Sequence, residues 1–536
     1  MEKKKTVIYS IVALVALALL VVGATYAYFQ NQYGSASNAD VKVTTYTTDV
    51  LTFETGDAIN ITADQESFAQ GKGNRTGSTF ARATLQANNK TNTATANYYM
   101  YLNIETNTFT YTNTGTPELI LQVVDKTSGN PVTSITGLNY VTVTDGKNTS
   151  ISGFDITNKD GLIALFSNKE ISASSKITEE YTITITLINH SFDQNVNTGK
   201  NLNGKLIIQK EKAFSNIADV AKSGDALATV LETLGTKGNP SLTGLYHHDT
   251  NLTNGAGDNS YRYSGANPNN YVCFGSDDTT CPTENLYRII GVIDGKVKVI
   301  LADGATTDML GTNEGYVNTY QAAWGSSSSY YKGNGDLTKI GTYKWYKYGN
   351  TWSKSTTNTI NLNNNFFTYL DGKNAKWKNM IADTTWYVGG MTRNSGAESN
   401  AKTAYDYEVG ANKDASTTVT SKIGLMYVSE YYYAATPDYW TLPGHYPSGN
   451  DYKTAINDNW MFTGLYEWTI SRDSFDSFRA FLVYAGGYVF VDAVASSSGF
   501  AVRPSFSLSS SIKFTSGEGT AVNPIRINLW LGIMHV

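Results

Sequence analysis

Apolar and polar residues alternate along much of the chain from Tyr28 to about Lys212. Period-two spacing puts the apolar side chains on one face of a strand, and Asn-Gly, Asp-Gly and Ser-Gly pairs mark the turns between strands. The clearest alternating segments are residues 41–46, 97–104, 119–124 and 181–187. The pattern predicts an all-β antiparallel sandwich over residues 28–212.

The pattern changes to helical spacing in the next segment. Apolar residues of the stretch 225–234 recur at helical intervals, and Gly235, Gly238 and Pro240 follow it. Glycine and proline after a periodic apolar run are typical of a helix end. We expect residues 213–243 to form a linker with a short helix that packs on the next domain.

Residues 244–536 mix strand-like runs with loops rich in Asn, Gly and Ser. The strand-like runs are residues 286–293, 296–301 and 423–429, and short helices are expected at residues 363–370 and 377–381. Such a mixture predicts a C-terminal α+β domain with long irregular loops. The chain is therefore expected to be multidomain.

The first 27 residues have the order of an export signal. Lys3, Lys4 and Lys5 precede an apolar run over residues 7–22, and Ala27 ends a small-residue segment. This order predicts a signal peptide, with cleavage after Ala27 favoured, and its length leaves a membrane anchor as the alternative. We expect an extracellular or cell-surface protein that touches the membrane through residues 7–27 if they are uncleaved.

Charge is low in this chain of 536 residues, with 16% charged residues and a net charge of −5. Nucleic acid is not an expected partner, because phosphate binding needs clustered Lys and Arg. The two cysteines, Cys273 and Cys281, are predicted to form one disulfide that closes a short loop. The rival interpretation is a metal or redox pair, which a C-x-x-C spacing or a nearby His would favour.

The N-terminal third resembles a known class of surface proteins. The basic start, the apolar run and Ala24-Thr-Tyr-Ala-Tyr-Phe29 precede a Thr- and Asn-rich sandwich. That order is similar to the camelysin/TasA class of Firmicutes surface and matrix proteins. The resemblance implies export, and by analogy a role in fibres or matrices.

Two motifs near the C-terminus resemble a second fold. Glu467-Trp-Thr469 and Gly499-Phe-Ala-Val-Arg503 look like the end of the formylglycine-generating-enzyme branch of the C-type lectin fold. The resemblance implies that Trp468 and Phe500 pack the core and that Arg503 helps to close the final strand. An uncharacterised Firmicutes surface domain has a similar ending, and any buried Trp with a terminal strand is a further alternative.

The tract between these motifs has an unusual composition. Residues 469–511 contain no Lys, Glu, Gln, Met or Trp. Adenine-directed mutagenesis of Asn codons (AAY) cannot produce those five residues, whereas it produces Asp, Ser, Phe, Tyr, Ala and Val. The chain therefore resembles the variable proteins of diversity-generating retroelements, which carry such a tract at the end of a C-type-lectin-like domain.

Tyr and Phe give large contact areas, and Ser, Gly and Asp give adaptable hydrogen bonds, which is the composition of antibody paratopes. Four exposed phenylalanines would form a sticky patch, so some of those in the tract are expected in the core. The predicted ligand-binding residues are Asp473, Phe475, Asp476, Phe478, Phe481, Tyr484, Tyr488, Phe490, Asp492, Ala495, Ser496, Ser497 and Phe500. Trp468 and Arg503 are the predicted framework beneath them.

No catalytic or metal-binding constellation is predicted. Formylglycine-generating enzymes need a late cysteine pair, and this sequence has no cysteine after Cys281. His247 and His248 stand beside Asp249, but neighbouring residues on a strand point to opposite faces. We therefore expect no enzyme activity, no metal and no cofactor.

The sequence as a whole predicts an exported adhesin or receptor-like protein with a ligand-binding face at residues 469–511, which is a candidate for diversification. The expected ligand is an extracellular protein or glycan, and the N-terminal sandwich is expected to serve as a stalk or for self-assembly. The alternative is a structural subunit of an extracellular matrix or fibre. A hydrolase or modifying enzyme is a third, weaker hypothesis.

Overall fold

The computed structural model describes residues 49–529 except residue 65 and residues 69–71, 89–92 and 326–329. The predicted signal peptide or anchor at residues 1–27 and the predicted strand at residues 41–46 lie outside the described residues. The chain divides into two compact units between Ala213 and Phe214.

The first unit consists of antiparallel strands in two sheets. The strands are β1 Val50–Thr55, β2 Ile59–Thr62, β3 Arg75–Gln86, β4 Ala94–Asn107, β5 Leu119–Asp125, β6 Tyr140–Thr144, β7 Ser150–Asp155, β8 Gly161–Ala173, β9 Lys176–Leu187 and β10 Asn201–Gln209. One sheet has the order β1-β3-β9-β5-β7-β6 and the other β2-β10-β4-β8. The predicted strands at residues 97–104, 119–124 and 181–187 are confirmed as β4, β5 and β9.

Alternation along each strand builds the core of this unit. In β9, Tyr181, Ile183 and Ile185 are buried, whereas Thr182 and Thr184 are half-buried on the other face. Apolar side chains from both sheets form one continuous core. The period-two pattern therefore reports directly which face of each strand points inward.

The second unit contains short helices and several small antiparallel sheets. Its helices are α1 Leu227–Lys237, α2 Pro240–Thr243, α3 Thr307–Leu310, α4 Tyr320–Trp324, a π-helix Thr357–Phe366, α5 Phe367–Lys373, α6 Ala375–Asn379, α7 Arg393–Gly396, α8 Ala401–Glu408 and α9 Val428–Tyr433. Single 3₁₀ turns occur at Asn195–Asn197 in the first unit and at Ile217–Asp219, Thr283–Asn285, Trp352–Lys354, Pro437–Tyr439 and Tyr452–Ala455 in the second.

The strands of the second unit are β11 Leu245–His248, β12 Ser260–Tyr263, β13 Tyr271–Cys273, β14 Leu286–Ile293, β15 Lys296–Leu301, β16 Tyr316–Thr319, β17 Gly341–Tyr343, β18 Thr384–Tyr387, β19 Thr418–Ser421, β20 Ile423–Gly424, β21 Glu467–Arg472, β22 Arg479–Val483, β23 Val489–Ala493, β24 Ser505–Ser507, β25 Ile512–Ser516 and β26 Arg526–Leu529. The largest sheet has the order β11-β12-β14-β15-β24-β20, and β13 pairs with β14. Smaller sheets are β16-β17, β18-β19, β21-β22-β23 and β25-β26.

The predicted linker helix is built into the second unit. Leu227, Val230, Leu231 and Leu234 follow the i, i+3, i+4, i+7 spacing of one helix face, and all four belong to the core of this unit. Gly235 lies inside α1 rather than after it, since the helix continues to Lys237. A Cβ atom at Gly235 would lie 2.4 Å from the Tyr261 ring, so glycine permits this close contact.

One predicted strand of the second unit is wrong beyond its first two residues. Residues 423–429 form a strand over Ile423–Gly424 alone, and α9 begins at Val428. The Glu430 carboxylate accepts a hydrogen bond from the Tyr427 N–H at 2.9 Å. A buried acid at a helix N-terminus satisfies free N–H groups there, and this tertiary contact overrides the apolar run.

The structure confirms a β-rich protein with several antiparallel sheets and few helices. Across the described part of the chain, no helix has both the length and the apolar character that a bilayer-crossing helix needs. Cys273 and Cys281 form a disulfide, with their Cα atoms 5.9 Å apart. The bond closes the loop between β13 and the start of β14.

Candidate ligand-binding face

The predicted tract folds around the three-stranded sheet β21-β22-β23. Phe481, Val483, Val489 and Val491 share the face that is fully buried in the core. The opposite face of the β22-β23 hairpin carries Tyr484, Tyr488, Phe490 and Asp492, which are half-buried. The hairpin therefore has one core face and one partly exposed face.

The two motifs that flank the tract meet in an ion pair. The Arg503 guanidinium donates to a Glu467 carboxylate oxygen at 2.6 Å, and both side chains are at most 3% exposed. Arg503 also donates to the main-chain oxygen of Met461 at 2.8 Å. Burial raises the pKa of Glu467, and the Arg503 charge opposes that shift. Each charge is therefore neutralised in the core by its partner.

Neighbouring residues strengthen this contact. The Trp468 and Phe500 rings meet edge to face, with their centroids 4.6 Å apart. The Trp468 N–H donates to the Ala501 oxygen at 3.0 Å, and its indole N–H donates to the Tyr343 oxygen at 2.8 Å. We call Glu467, Trp468, Phe500 and Arg503 the clasp. It holds the two ends of the tract together.

The turn between β21 and β22 repeats the sequence Asp-Ser-Phe. The Asp473 carboxylate accepts a hydrogen bond from the Phe475 N–H at 2.9 Å, and Asp476 accepts from the Phe478 N–H at the same distance. Each aspartate thus forms a local turn with the amide two residues later. We call residues 473–479 the phenylalanine loop.

Asn350, from a distant part of the chain, holds this loop from below. Its side-chain nitrogen lies 2.7 Å from the oxygen of Asp473 and 2.8 Å from the oxygens of Asp476 and Arg479. Asn350 is buried, with 4% of its surface exposed. The main chain of the loop is therefore fixed to the core of the unit, although its tip faces solvent.

The tip of the phenylalanine loop exposes two aromatic rings. Phe475 is 90% exposed and Phe478 is 63% exposed. The chain after β23 lies alongside, since the Val494 N–H donates to the Phe478 oxygen at 3.0 Å. Ala495 and Ser497 in that segment are also exposed. These residues form one exposed end of the sheet.

The structure divides the predicted ligand-binding residues into three groups. Phe475, Phe478, Ala495 and Ser497 are exposed; Asp476, Tyr484, Tyr488, Phe490, Asp492 and Ser496 are half-buried; Asp473, Phe481 and Phe500 are buried.

The assignment of Asp473, Phe481 and Phe500 as direct ligand contacts is therefore corrected. Asp473 turns its carboxylate onto the loop backbone, Phe481 points to the core face of β22, and Phe500 packs on Trp468. All three support the surface from beneath.

The half-buried residues of the hairpin continue into a row of rings, which we call the aromatic ladder. Its members in order of contact are Trp324, Tyr466, Tyr484, Tyr488, His445 and Phe490. Successive ring centroids lie 4.3, 5.6, 4.4, 5.1 and 4.8 Å apart. All six side chains are half-buried. The ladder is therefore a partly accessible aromatic surface.

Polar groups border the ladder. The Tyr484 hydroxyl donates to Asp492 at 3.3 Å, and burial together with this carboxylate raises the pKa of Tyr484. At the other end, the Arg393 guanidinium lies 5.3 Å from the Phe490 ring centroid and pairs with Glu398 at 3.0 Å. The ladder thus combines apolar contact area with hydrogen-bonding groups at its margins.

Sequence reasoning missed Asn350 and three ladder members, Trp324, Tyr466 and His445. Asn350 precedes the loop it holds by more than 120 residues, and no spacing rule links positions so far apart. Of these four residues, Tyr466 alone is next to a recognised motif, since it directly precedes Glu467-Trp-Thr469.

The histidine pair does not form a shared site. His247 stacks on Tyr261 with ring centroids 4.3 Å apart, whereas His248 is buried and accepts the Ala256 N–H at 3.0 Å. In the portion of the chain that the structure describes, no group of three or more His, Cys, Asp or Glu side chains is placed to hold a metal ion.

No protein-family model and no curated protein matches the chain. The resemblances to camelysin/TasA proteins and to retroelement-diversified C-type-lectin-like domains rest on the motif residues and remain predictions. Function is inferred from the geometry of the tract and its surroundings.

A second buried acid, Glu408, links the sheet to α9. Its two carboxylate oxygens each accept a main-chain N–H at 2.9 Å, from Val428 and from Ser429, and the Ser471 hydroxyl also donates to it. Burial raises the pKa of Glu408 to about 7, and these hydrogen bonds oppose the rise. The group therefore titrates near neutral pH inside the core.

We predict that Arg503→Met destabilises the second unit by about 3 to 5 kcal/mol, because it leaves the Glu467 carboxylate buried without its cation. Urea unfolding followed by tryptophan fluorescence measures this, since all nine tryptophans lie at or after position 324. The control is the double variant Glu467→Gln with Arg503→Met, which should lose less than the sum of the single variants. Additive losses would show that the two groups act independently.

We predict that Glu408 makes the second unit less stable as pH rises from 4.5 to about 7. The native carboxyl keeps its proton up to about pH 7, whereas the unfolded one loses it near its ordinary pKa of 4.5. The contribution of Glu408 to the free energy of unfolding is thus fully present below pH 4.5. It declines by roughly 3 kcal/mol between pH 4.5 and about pH 7.

Glu408→Gln, which cannot ionise, should remove this decline when urea midpoints at pH 5 and pH 8 are compared with those of the wild type. The matched control is Glu398→Gln, at an exposed ion pair, which should keep the wild-type pH dependence. Parallel pH profiles for wild type and Glu408→Gln would contradict the assignment.

Proposed function

We propose that this protein is an exported cell-surface binding protein, of the adhesin or receptor type, whose residues 469–511 display the ligand-binding face. One observation carries the proposal: Phe475 and Phe478 are exposed on a loop whose main chain is fixed by buried Asn350. Scattered exposed apolar residues are common on soluble proteins. Two phenylalanines within four residues on a rigid support are a more specific arrangement.

The energetics of binding favour such a support. A partner that covers the two rings gains apolar burial at about 25 cal/mol per Å². Binding normally loses part of that gain to the ordering of loops and side chains. Here the hydrogen bonds of Asp473, Asp476 and Asn350 order the loop beforehand. Aromatic anchors of this kind dominate the affinity of many interfaces.

The exposed tract residues form two surfaces. The phenylalanine loop lies at one end of β22, and Tyr484 and Tyr488 of the aromatic ladder lie at the other. The strand has five residues, so about 17 Å of strand separates them. A ligand that contacts both surfaces must be a macromolecule. The apolar loop favours an extracellular protein with an apolar pocket over a glycan.

The other parts of the chain receive roles in the same proposal. Residues 1–27 direct export, the first unit serves as a stalk or assembly module, and the second unit presents the face. No reaction is proposed for either unit.

The competing proposal is a structural subunit of a matrix or fibre. It draws on the antiparallel sheets of the first unit, whose edge strand β8 is thirteen residues long. Long edge strands can add a strand from another chain.

We predict that Phe478→Ala weakens ligand binding by about 2 kcal/mol or more, whereas Ser497→Ala at the rim costs under about 1 kcal/mol. The chain without residues 1–27 is labelled and applied to arrays of extracellular proteins and glycans, and affinities are then measured for each captured partner. Unfolding by urea is measured beside binding. Phe478 is exposed, so its replacement should leave stability unchanged.

Phe481→Ala is the matched comparison, because it removes a buried ring of the same tract. It should lower the free energy of unfolding by roughly 3 to 5 kcal/mol. If replacement of both Phe475 and Phe478 leaves every interaction of a folded protein unchanged, the displayed-face proposal fails and the structural-subunit proposal takes its place.

We also propose that the tract is diversified. The neighbouring DNA should then contain a reverse transcriptase and a near-repeat of the codons for residues 469–511, with differences at adenine positions. Sequencing sister strains provides the measurement. Absence of both elements, together with an invariant tract, would remove diversification and leave the binding face as a separate proposal.

A further inference from the structure

The hairpin of β6 and β7 forms one edge of the six-stranded sheet of the first unit, and Val143 of β6 packs against Ile120 and Ile188 of that sheet's outer face. Within the described residues, β7 pairs with β5 only at Ile120↔Asp155 and Leu121↔Phe154. Ile120, Val143 and Ile188 form a small apolar cluster that is separate from the main core. Since Leu119 and Leu121 belong to the main core, Ile120 and its cluster lie on the opposite side of the sheet.

Polar contacts fix the hairpin in this position. The Gln122 side chain donates to the Ser152 oxygen at 3.0 Å, and the Gly146 N–H donates to the Asn189 oxygen at 2.8 Å. Asp145 accepts hydrogen bonds from the Asn74 side chain at 2.9 Å and from the Thr149 N–H at 2.8 Å. The space between hairpin and sheet therefore has fixed walls.

That space is an open groove of about 400 Å³. Thr76 and Thr186, directly opposite each other on β3 and β9, lie on the sheet side. Ser150, Ser152 and Tyr140 lie on the hairpin side. The volume falls within the range of about 300 to 1,000 Å³ that is usual for small-ligand sites.

The chemistry of the lining selects against charged ligands. Most lining side chains carry a hydroxyl or carboxamide group, whereas Pro131, Ile151 and the Tyr140 ring, which is 37% exposed, add apolar surface. No charged side chain of the described residues belongs to the lining. A phosphate, sulfate or ammonium group would lose hydration there without gaining an opposite charge. A neutral ligand rich in hydroxyl groups exchanges hydrogen bonds with water for equivalent ones with the groove.

We propose that this groove binds a short stretch of a neutral oligosaccharide. Thr76 and Ser150, which are exposed, supply hydroxyl partners, and the Tyr140 ring supplies an apolar surface for the C–H groups of a sugar. Asp145 acts as a positioning residue through Asn74 and Thr149. The site is independent of the tract in the second unit, and it gives the first unit a binding role of its own.

The test uses the chain without residues 1–27 and three probes: maltohexaose, cellohexaose and N,N′-acetylated chitohexaose. Calorimetry and saturation-transfer NMR measure binding up to about 5 mM ligand, which detects dissociation constants in the millimolar range. We expect at least one probe to bind. Thr76→Val, which removes an exposed hydroxyl at constant shape, should weaken that binding at least about fivefold, as expected for one lost hydrogen bond.

Thr184→Val is the matched control, because Thr184 lies on the same outer face of the sheet, pairs with Ser78 two residues from Thr76 and does not line the groove. The affinity of the Thr184→Val variant for the oligosaccharide should stay within about twofold of the wild type. Ser150→Ala, at an exposed position of the hairpin, provides a second groove variant if Thr76→Val proves unstable. Replacement of Phe475 and Phe478 should leave oligosaccharide binding unchanged.

Failure of all three probes to bind the wild type would overturn the proposal. Equal effects of Thr76→Val and Thr184→Val in folded proteins would overturn it as well, since they would place the sugar elsewhere. If replacement of Phe475 and Phe478 alone abolishes oligosaccharide binding, the sugar site lies in the tract of the second unit and the groove proposal fails.

Discussion

The buried ion pair between Glu467 and Arg503 is the constraint on which the second unit depends. Burying two charges is unfavourable unless each has its partner and further hydrogen bonds. The partners stand 36 residues apart in sequence, so their pairing brings the two ends of the intervening segment together. Trp468 and Phe500 then fill the space beside the pair. A tract enclosed in this way can change its exposed residues while its two ends stay in place.

Much of the fold could be predicted from local pattern alone. The period-two alternation of residues 181–187 gave β9, and the helical spacing near residue 230 gave α1, because each pattern reflects one buried face. The strand expected at residues 423–429 failed because the N–H groups at the start of α9 bond to Glu408 and Glu430. Those contacts come from tertiary structure, which a local pattern does not contain.

The candidate site was predictable in its framework and less so in its surface. Trp468 and Arg503 belong to recognisable motifs, and both are buried. Phe478 and Phe481 are chemically identical and three residues apart, yet one is exposed and the other is in the core. Phe478 lies in the loop before β22, whereas Phe481 lies in β22 opposite Val491. The tract lacks a steady alternation that would mark this difference in the sequence. Asn350 acts through main-chain oxygens and leaves no trace in the sequence of the loop.

The phenylalanine loop keeps its shape without using its phenylalanine rings. Asn350 contacts three main-chain oxygens, which every residue possesses, and the two aspartates accept main-chain N–H groups, which every residue except proline can donate. Any residue except proline can therefore occupy positions 475 and 478 and keep the same backbone hydrogen bonds. The side chains at these two positions can therefore be exchanged one at a time without loss of the loop's backbone hydrogen bonds.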